Sequence, residues 1–216
     1  MKISRIKSFV KWMSCLWFHI THPLANFVCG NNVWLRGLKI NCRYWGGCNV
    51  FIGNDVSVRH VKVFSTGKNN KLIIHDGCKL RKLSCWMEGN CNVIEIGANT
   101  SVMGATHLAA CDGSKIIIGQ NCLFSHDIYI RTTDSHSIID NLGRRINMEQ
   151  DIIIGNHVWI GMQSLILKGS VIPDNCIVGA RSTVTKTHID NNTIIVGSPA
   201  KVIRHNINWK AERISQ

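Results

Sequence analysis

Aliphatic side chains recur at fixed intervals along most of this chain, in steps that match neither an α-helix nor an ordinary strand. Four copies of one pattern stand 22 residues apart, beginning at Ile52, Ile74, Ile96 and Ile118. After residue 150 the step shortens to six residues, with aliphatic side chains at Ile154, Ile160, Ile166, Ile172, Val178 and Val184. Because helices repeat every ~3.6 residues and strands every ~2, a period of six indicates a different architecture.

A six-residue repeat predicts a short strand and a turn, and three such units close one triangular coil. The aliphatic position and the small position four residues later point inward, so stacked coils bury one continuous core. Glycine and asparagine near the corners tolerate the unusual backbone angles there. The 22-residue coils carry about four extra residues, which we expect to protrude at one corner, in the segments STGKNN, MEGN and CDGS.

The six-residue rhythm is interrupted between about residues 133 and 151. Ile118, Phe124 and Ile130 keep the phase of the later positions, so the chain is expected to leave the coil and rejoin it in step. Such an excursion from one face of a solenoid often carries function. Its candidate polar residues are Asp134, His136, Asp140, Arg144, Arg145 and Glu149.

The composition indicates a packed intracellular domain. Of the 216 residues, 45% are hydrophobic and 18% are charged, which excludes the disordered class. The ten cysteines form no C-x-x-C pair, and Cys78, Cys122 and Cys176 occupy the small position of the repeat, where a buried thiol fits. We therefore expect a reducing cytoplasm as the setting.

Residues 1–27 form a basic and apolar arm. The segment begins like a signal peptide, but Lys11 interrupts its apolar run and no cleavage site of small residues follows. We predict an amphipathic helix or an extended arm that packs on the body or on a neighbouring subunit. Peripheral contact with the inner face of the membrane is the alternative. No run of 18 apolar residues predicts a transmembrane helix.

The net charge of +12 is concentrated towards the N-terminus. The first acidic residue is Asp55, and it follows Lys2, Arg5, Lys7, Lys11, Arg36, Lys39 and Arg43. Such a field attracts an anionic partner, and nucleic acid, anionic lipid and acidic polysaccharide all meet that condition. No nucleic-acid-binding module is recognisable, so nucleic acid is not the expected partner.

Residues 151–206 resemble the hexapeptide-repeat acyltransferases. The resemblance lies in the W-I-G hexad, the G-A-x-S-x-V-T-K hexads and the terminal G-x-P-A-K-x-I segment. It implies a left-handed parallel β-helix, a homotrimer with active sites between neighbouring subunits, and acetyl transfer from acetyl-CoA to a hydroxyl or an amine. The segments IRTTDSHSI, GRRIN and DIIIGNHVWIGM are also similar to capsular polysaccharide O-acetyltransferases, including those that acetylate polysialic acid.

The predicted fold is therefore all-β. We expect a left-handed parallel β-helix over residues 28–200, preceded by the helical arm of residues 1–27. A short helical tail over residues 201–216 is expected to follow it. The excursion at about residues 133–151 belongs to the β-helix domain.

The resemblance implies that His136 is the catalytic base. A sugar hydroxyl attacks poorly until a base removes its proton, and histidine, with an ordinary pKa of about 6.5, does so near neutral pH. Asp134 is expected either to orient the imidazole or to cap the turn. Trp159 completes the implied site by positioning or by an oxyanion contact, since its indole donates a hydrogen bond but takes no proton. The alternative for Trp159 is a wall for the pantetheine or the acceptor.

The donor is expected to lie along the edge of the coils. The residues that the resemblance assigns to acetyl-CoA binding are Gly161, Met162, Ala180, Thr185, Lys186, Lys201 and Arg204. Met162 stands where a small residue is common, so its contact is expected through the backbone. Lys168 and Arg181 are further basic candidates. Arg144 and Arg145 are expected to bind an acidic sugar or to hold the excursion to an adjacent chain.

The scattered histidines His107, His126 and His157 are similar to the zinc ligands of carbonic-anhydrase-like members of this fold. Their spacing departs from that pattern, so no metal site is predicted. The leading hypothesis is an acetyl-CoA-dependent O-acetyltransferase that acts on a surface polysaccharide such as polysialic acid. The acceptor hydroxyl is expected to attack the thioester carbonyl directly. The first alternative changes the acceptor to a small sugar, a lipid-linked glycan or a nucleotide-sugar amine. The second is a non-catalytic β-helix that binds anionic glycans.

Overall fold

The computed structural model describes residues 25–43 and 47–214. The helix predicted within residues 1–27 lies outside them, except for the last three residues, which begin the first strand. The described residues form 23 β-strands, numbered in chain order, that pass repeatedly through three sheets. No helix within these ranges is long and apolar enough to cross a bilayer.

Three long sheets form the sides of a triangular β-helix. Sheet A contains, in order along the axis, β1 (Ala25–Cys29), β4 (Cys48–Ile52), β7 (Asn70–Ile74), β10 (Val93–Ile96), β13 (Lys115–Ile118), β16 (Ile152–Ile154) and β19 (Val171–Ile172). Sheet B contains β2 (Trp34–Arg36), β5 (Ser57–Arg59), β8 (Lys79–Arg81), β11 (Ser101–Val102), β14 (Leu123–Phe124), β17 (Trp159–Ile160), β20 (Ile177–Val178), β22 (Ile194–Gly197) and β23 (Ala200–Arg204). Sheet C contains β3 (Lys39–Cys42), β6 (Lys62–Ser65), β9 (Leu83–Glu88), β12 (Thr106–Cys111), β15 (Ile128–Arg131), β18 (Leu165–Leu167) and β21 (Thr183–Val184).

The strand register confirms the repeat. Each aliphatic position of the pattern pairs with the same position one coil further on, and the sheet A ladder runs through Ile52, Ile74, Ile96, Ile118, Ile154 and Ile172. All six side chains are buried. Since burying one isoleucine contributes about 1.5–3 kcal/mol, the ladder is a main source of stability.

The cysteines of the repeat are core side chains, as predicted. Cys78, Cys122 and Cys176 are buried beneath the corner that follows sheet A. Burial raises the pKa of the Cys78 and Cys122 thiols to about 11. These thiols are therefore protonated and unreactive at neutral pH.

The corner between sheets A and B requires a left-handed backbone. The third residue after the sheet A aliphatic has a φ of 53° to 59° in five coils: Asp55, Asn99, Asn121, His157 and Asn175. Asparagine and aspartate tolerate this region better than other residues with a Cβ atom, which explains their recurrence at this step of the pattern.

The extra residues of the longer coils lie at the corner between sheets C and A, which confirms the prediction of one protruding corner. The excursion leaves from the same corner, since β15 ends at Arg131 and β16 begins at Ile152. In a triangular cross-section this corner is opposite sheet B. The fold therefore separates the excursion from the outer face of sheet B within one chain.

The prediction of a short helical tail over residues 201–216 is wrong. The chain instead turns back, and β23 pairs antiparallel with β22. Beyond it no helix forms up to residue 214, and the indole of Trp209 is buried. The physical reason is that the last sheet B strand would otherwise expose unpaired backbone groups, which β23 covers.

Candidate active site

The excursion is an ordered loop whose two ends are joined by a hydrogen bond where it leaves and rejoins the β-helix. The Gln150 amide donates to the Thr132 carbonyl at 3.1 Å, where the loop begins and ends. Further out, the Ile146 amide donates to the Ile138 carbonyl at 2.8 Å, so the tip is a short antiparallel turn. Gly143 has a φ of 76° at this tip. These bonds hold the loop in one conformation although most of its side chains are exposed.

Asn147 connects the two arms of the loop. Its side-chain amide donates from Nδ2 to the His136 carbonyl at 2.8 Å and to Asp134 Oδ2 at 2.9 Å. Its Oδ1 accepts from the Ile138 amide at 2.7 Å. The side chain is buried, so these bonds have no competition from water. Asn147 thus fixes the backbone at residues 136 and 138 and ties it to the side chain of Asp134.

His136 has a fixed backbone and an exposed side chain. Its carbonyl is held by Asn147, while no side chain in residues 25–43 and 47–214 forms a hydrogen bond with its imidazole. A general base must be positioned and must also have a free nitrogen. The backbone of His136 is held in place by Asn147, and its imidazole nitrogens have no hydrogen-bond partner among the described residues.

Asp134 braces the loop against the next coil. Its Oδ2 forms an ion pair with Lys168 Nζ, at the turn after β18, and also accepts from Asn147. The hydrogen bond from Lys168 is the main reason that the pKa of Asp134 is lowered below its usual range. Asp134 is therefore ionised at neutral pH, and its contacts here are with Lys168 and Asn147, not with the imidazole. The orienting role predicted for Asp134 stays a prediction.

Arg144 and Arg145 form ion pairs inside the excursion. Arg144 donates to Asp140 from Nε at 2.8 Å and from Nη2 at 2.7 Å. Arg145 pairs with Glu149, whose side chain is almost fully buried. Both positive charges are thus balanced within the loop, which leaves less of them for the acidic sugar or the adjacent chain that these residues are expected to bind.

Trp159 lies on the outer face of sheet B and is held there by the tail. Its ring centroid is 6.0 Å from that of Trp209. Trp209 stacks on His157 at 4.2 Å with an interplanar angle of 8°, and its Nε1 donates to the His157 carbonyl at 2.8 Å. Within one chain the excursion corner faces away from this surface, so His136 and Trp159 are not brought together.

Trp209→Ala is expected to lower the free energy of unfolding by about 3 kcal/mol, because it removes a stacked, hydrogen-bonded and buried indole. It is also expected to lower kcat, since Trp159 loses a packing partner. Urea unfolding and acetyl-transfer kinetics measure the two effects. Trp34→Ala, at a more exposed indole of the same sheet, is the control and should lower the free energy of unfolding less than Trp209→Ala and leave kcat unchanged. An unchanged unfolding curve for Trp209→Ala would contradict this account of the tail.

The residues expected to bind the donor lie at three places on the chain. Gly161, Met162 and Ala180 stack at the corner between sheets B and C, where a Cβ on Gly161 would come within 2.6 Å of the Ala180 amide. The other four lie elsewhere: Thr185 and Lys186 follow β21 on the excursion corner, and Lys201 and Arg204 are exposed on β23. The Met162 carbonyl already accepts from the Arg181 amide at 2.9 Å, so its side chain is the exposed part.

The three histidines compared with zinc ligands lie on different sides or corners of the β-helix. His107 belongs to sheet C, whereas His126 and His157 lie at two different corners. No group of three histidine, cysteine, aspartate or glutamate side chains is arranged to hold a metal ion in the part of the chain that the structure describes.

Comparison with known proteins places this chain in a family. Residues 151–186 match the bacterial transferase hexapeptide family (six repeats). The polysialic acid O-acetyltransferase of Neisseria meningitidis is 39% identical over 163 residues, which are 74% of this chain and 74% of that protein. This chain belongs to the hexapeptide-repeat acetyltransferases. A polysialic acid O-acetyltransferase of Escherichia coli O1:K1 / APEC is 35% identical over 125 residues, 56% of this chain and 40% of that protein.

A solved structure shows the same architecture. The polysialic acid O-acetyltransferase OatWY superposes with a TM-score of 0.68 at 32% identity, over 87% of this chain and 93% of that chain. The β-helix is therefore of the left-handed type, as the resemblance implied. The protein is an O-acetyltransferase, and the family uses an acyl-CoA donor.

Three residues with clear structural roles at or near the site were not identified from the sequence. Asn147 organises the loop, Trp209 supports Trp159, and Arg131 ends the strand that leads into the loop. A single tryptophan in a polar tail is a signal of docking that the sequence does offer. Asn147 and Arg131 carry no comparable signal, since their partners depend on how the excursion folds back on itself and not on the repeat.

Proposed function

We propose that this enzyme transfers an acetyl group from acetyl-CoA to a hydroxyl of an acidic surface polysaccharide, with polysialic acid as the leading acceptor. Two relatives named for that acceptor and the net charge of +12 support the choice. The observation that supports His136 as the general base is that its backbone is fixed by Asn147 while its imidazole is exposed and unpartnered among the described residues.

The reaction is a direct transfer in a ternary complex. The imidazole of His136 takes the proton of the acceptor hydroxyl as that oxygen bonds to the thioester carbonyl carbon. The tetrahedral intermediate carries a negative charge on the former carbonyl oxygen, which backbone amides or the indole N–H of Trp159 stabilise. The carbon–sulfur bond then breaks, and the CoA sulfur leaves with the proton from the imidazolium.

A homotrimer completes the site in this proposal. Trp159 is exposed on sheet B, and His136 belongs to the opposite corner, so the two meet only when the corner of one subunit faces sheet B of the next. A head-to-tail contact of this kind closes a ring in a cyclic trimer. The donor would then lie between Gly161, Met162 and Ala180 of one subunit and Lys186 of its neighbour. Lys201 and Arg204 supply charge for the phosphates of the donor.

The proposed setting is the cytoplasm. Seven of the described cysteines are buried, as expected for thiols that serve as small core side chains in a reducing compartment. Membrane contact through residues 1–27, at the inner face, is an additional proposal that concerns residues outside the described ranges.

The purified enzyme is expected to transfer acetyl groups to polysialic acid in the presence of acetyl-CoA, with one equivalent of CoA released for each acetyl group. Mass spectrometry of the glycan and a thiol assay measure the two products. Neutral polysaccharides and free monosaccharides are the comparison acceptors. Faster transfer to a neutral or small acceptor would move the assignment to the alternative acceptors. A chain that binds polysialic acid but neither binds nor consumes acetyl-CoA would favour the non-catalytic alternative.

A further inference from the structure

A cleft on the outer face of sheet C ends at the excursion. Its cavity has a volume of about 170 Å³. Trp86 on β9, Ala109 on β12 and Arg131 on β15 pair in register across three neighbouring strands. Because adjacent strands lie about 4.8 Å apart, the two large side chains stand on backbones about 10 Å apart, with the small Ala109 as the floor. The space suits one sugar residue of a longer chain.

One wall of the cleft is an aromatic ring. The indole of Trp86 stacks on Phe64 at a centroid distance of 4.0 Å, and Phe64 lies on the side away from Ala109. The stack fixes the ring and leaves its other face towards the cleft. An aromatic face of this kind packs against the C–H groups of a sugar ring.

The opposite wall is an arginine without a carboxylate partner. Arg131 donates from Nη2 to Ser135 Oγ at 2.6 Å, and its Nε has no acceptor in the described part of the chain. It forms no ion pair with any described residue, although Glu88 and Asp112 line the same cleft. A guanidinium in this state binds a carboxylate in a two-pronged geometry. Arg131 thus differs from Arg144, whose charge is already paired.

The remaining lining groups suit sugar hydroxyls. Glu88 accepts from Trp86 Nε1 at 3.1 Å, and together with Asp112 it offers acceptor oxygens at the end of the cleft nearest the excursion. His107 closes the other side. Burial, with the charge of Arg131 second, lowers the pKa of His107, so at pH 7 its ring is neutral and both donates and accepts hydrogen bonds.

We propose that this cleft is the acceptor subsite for one carboxylate-bearing sugar, with the sugar ring on Trp86, its carboxylate on Arg131 and its hydroxyl-bearing end towards Glu88, Asp112 and the excursion. Ser135 lines the cleft and is followed in the chain by His136, so a glycan held here is delivered to the proposed base. The inference rests on the proposed function and specifies how its acidic acceptor is recognised.

Arg131→Gln is expected to raise the KM for a short sialic acid oligomer about 10-fold or more, because a charge-assisted contact to each bound carboxylate is lost. The KM for acetyl-CoA and the kcat should stay within about threefold of the parent. The same oligomer with its carboxylates converted to primary amides is the second acceptor, and its KM should change by less than about threefold. Trp86→Ala should raise the KM for both oligomers, since ring stacking does not depend on charge.

The matched control is Arg59→Gln. Arg59 also lies beside an exposed tryptophan, with its Cζ 4.6 Å from the ring centroid of Trp34, but on sheet B. The Arg59→Gln substitution removes the same charge from the chain and should leave the KM values for the charged and the amidated oligomer unchanged. Circular dichroism and thermal unfolding of all three variants show whether each is folded. An equal KM increase for the charged and the amidated oligomer in Arg131→Gln, or no increase in any cleft variant, would overturn the subsite.

Titration calorimetry with the oligomer alone separates this inference from the proposed function. If the parent enzyme binds the oligomer and Arg131→Gln weakens that binding about 10-fold, the subsite stands even if no acetyl group is transferred. If the parent enzyme acetylates polysialic acid and Arg131→Gln binds the oligomer as tightly as the parent, the proposed function stands and the subsite does not.

Discussion

His136→Ala is expected to reduce kcat for acetyl transfer about 1,000-fold, because a positioned general base contributes roughly 10²–10⁴-fold to such a step. The KM for acetyl-CoA should change little, since the imidazole is not expected to bind the donor. The fold should be unaffected, because the side chain is exposed and only its carbonyl is used by Asn147. Initial rates of CoA release in the presence of polysialic acid measure the effect.

The control for this variant is His75→Ala. His75 is an exposed histidine that pairs with Glu95 beside sheet A, two coils before the coil that carries the excursion. Its replacement removes an imidazole without touching the proposed site, and the rate should stay within about twofold of the parent, as for most surface substitutions. A His136→Ala enzyme with more than a tenth of the parental kcat would exclude the imidazole as the base.

Asn147→Ala is expected to reduce kcat about 100-fold while the protein stays folded. The substitution leaves the partly buried His136 carbonyl and Ile138 amide without their partners, which costs at most about 1–3 kcal/mol for each group. The loop then relaxes, and a displacement of about 1 Å at a catalytic group is enough for a loss of this size. Because Asn147 acts through His136, the KM for acetyl-CoA should change by less than about threefold.

Two further variants test the positioning role of Asn147. Asn147→Asp keeps an acceptor for the Ile138 amide but has no donor for the His136 carbonyl and adds a negative charge beside Asp134. It should therefore be as impaired as the alanine variant. Asn141→Ala, at an exposed position of the same loop, makes the same change of side chain and should keep the parental rate. Equal losses of kcat in Asn141→Ala and Asn147→Ala would show that the loop tolerates no substitution. The positioning role of Asn147 would then be rejected.

The position of the candidate site was largely predictable. The break in the repeat locates the excursion between β15 and β16, because a coil that must bury an aliphatic residue at each side cannot absorb twenty residues that depart from the six-residue step. The protruding corner followed from the difference between the two coil lengths. The contacts of Asp134 were not predictable, since its partner Lys168 is 34 residues away and on the next coil.

The helical tail shows where local reasoning fails. No strong signal in residues 201–216 opposes a helix, but Ala200–Arg204 has a sheet edge to cover, and Trp209 has a surface to stack on. The bond from Trp209 to the His157 carbonyl spans 52 residues of sequence. Contacts between residues so far apart in sequence override local helix propensity, because the free energy gained by burying the side chains exceeds the small differences in helix propensity.

The sequence alone determined the three sheets, their register and the corner that carries the excursion, because each of these depends on which side chains must be buried at a regular spacing. The tertiary structure decided the rest. It separated His136 from Trp159, paired Asp134 with Lys168, and set Trp86 and Arg131 on opposite walls of one cleft. Outward positions need not be aliphatic, so the pattern that identifies the buried side chains does not show which outward side chains interact across the coils.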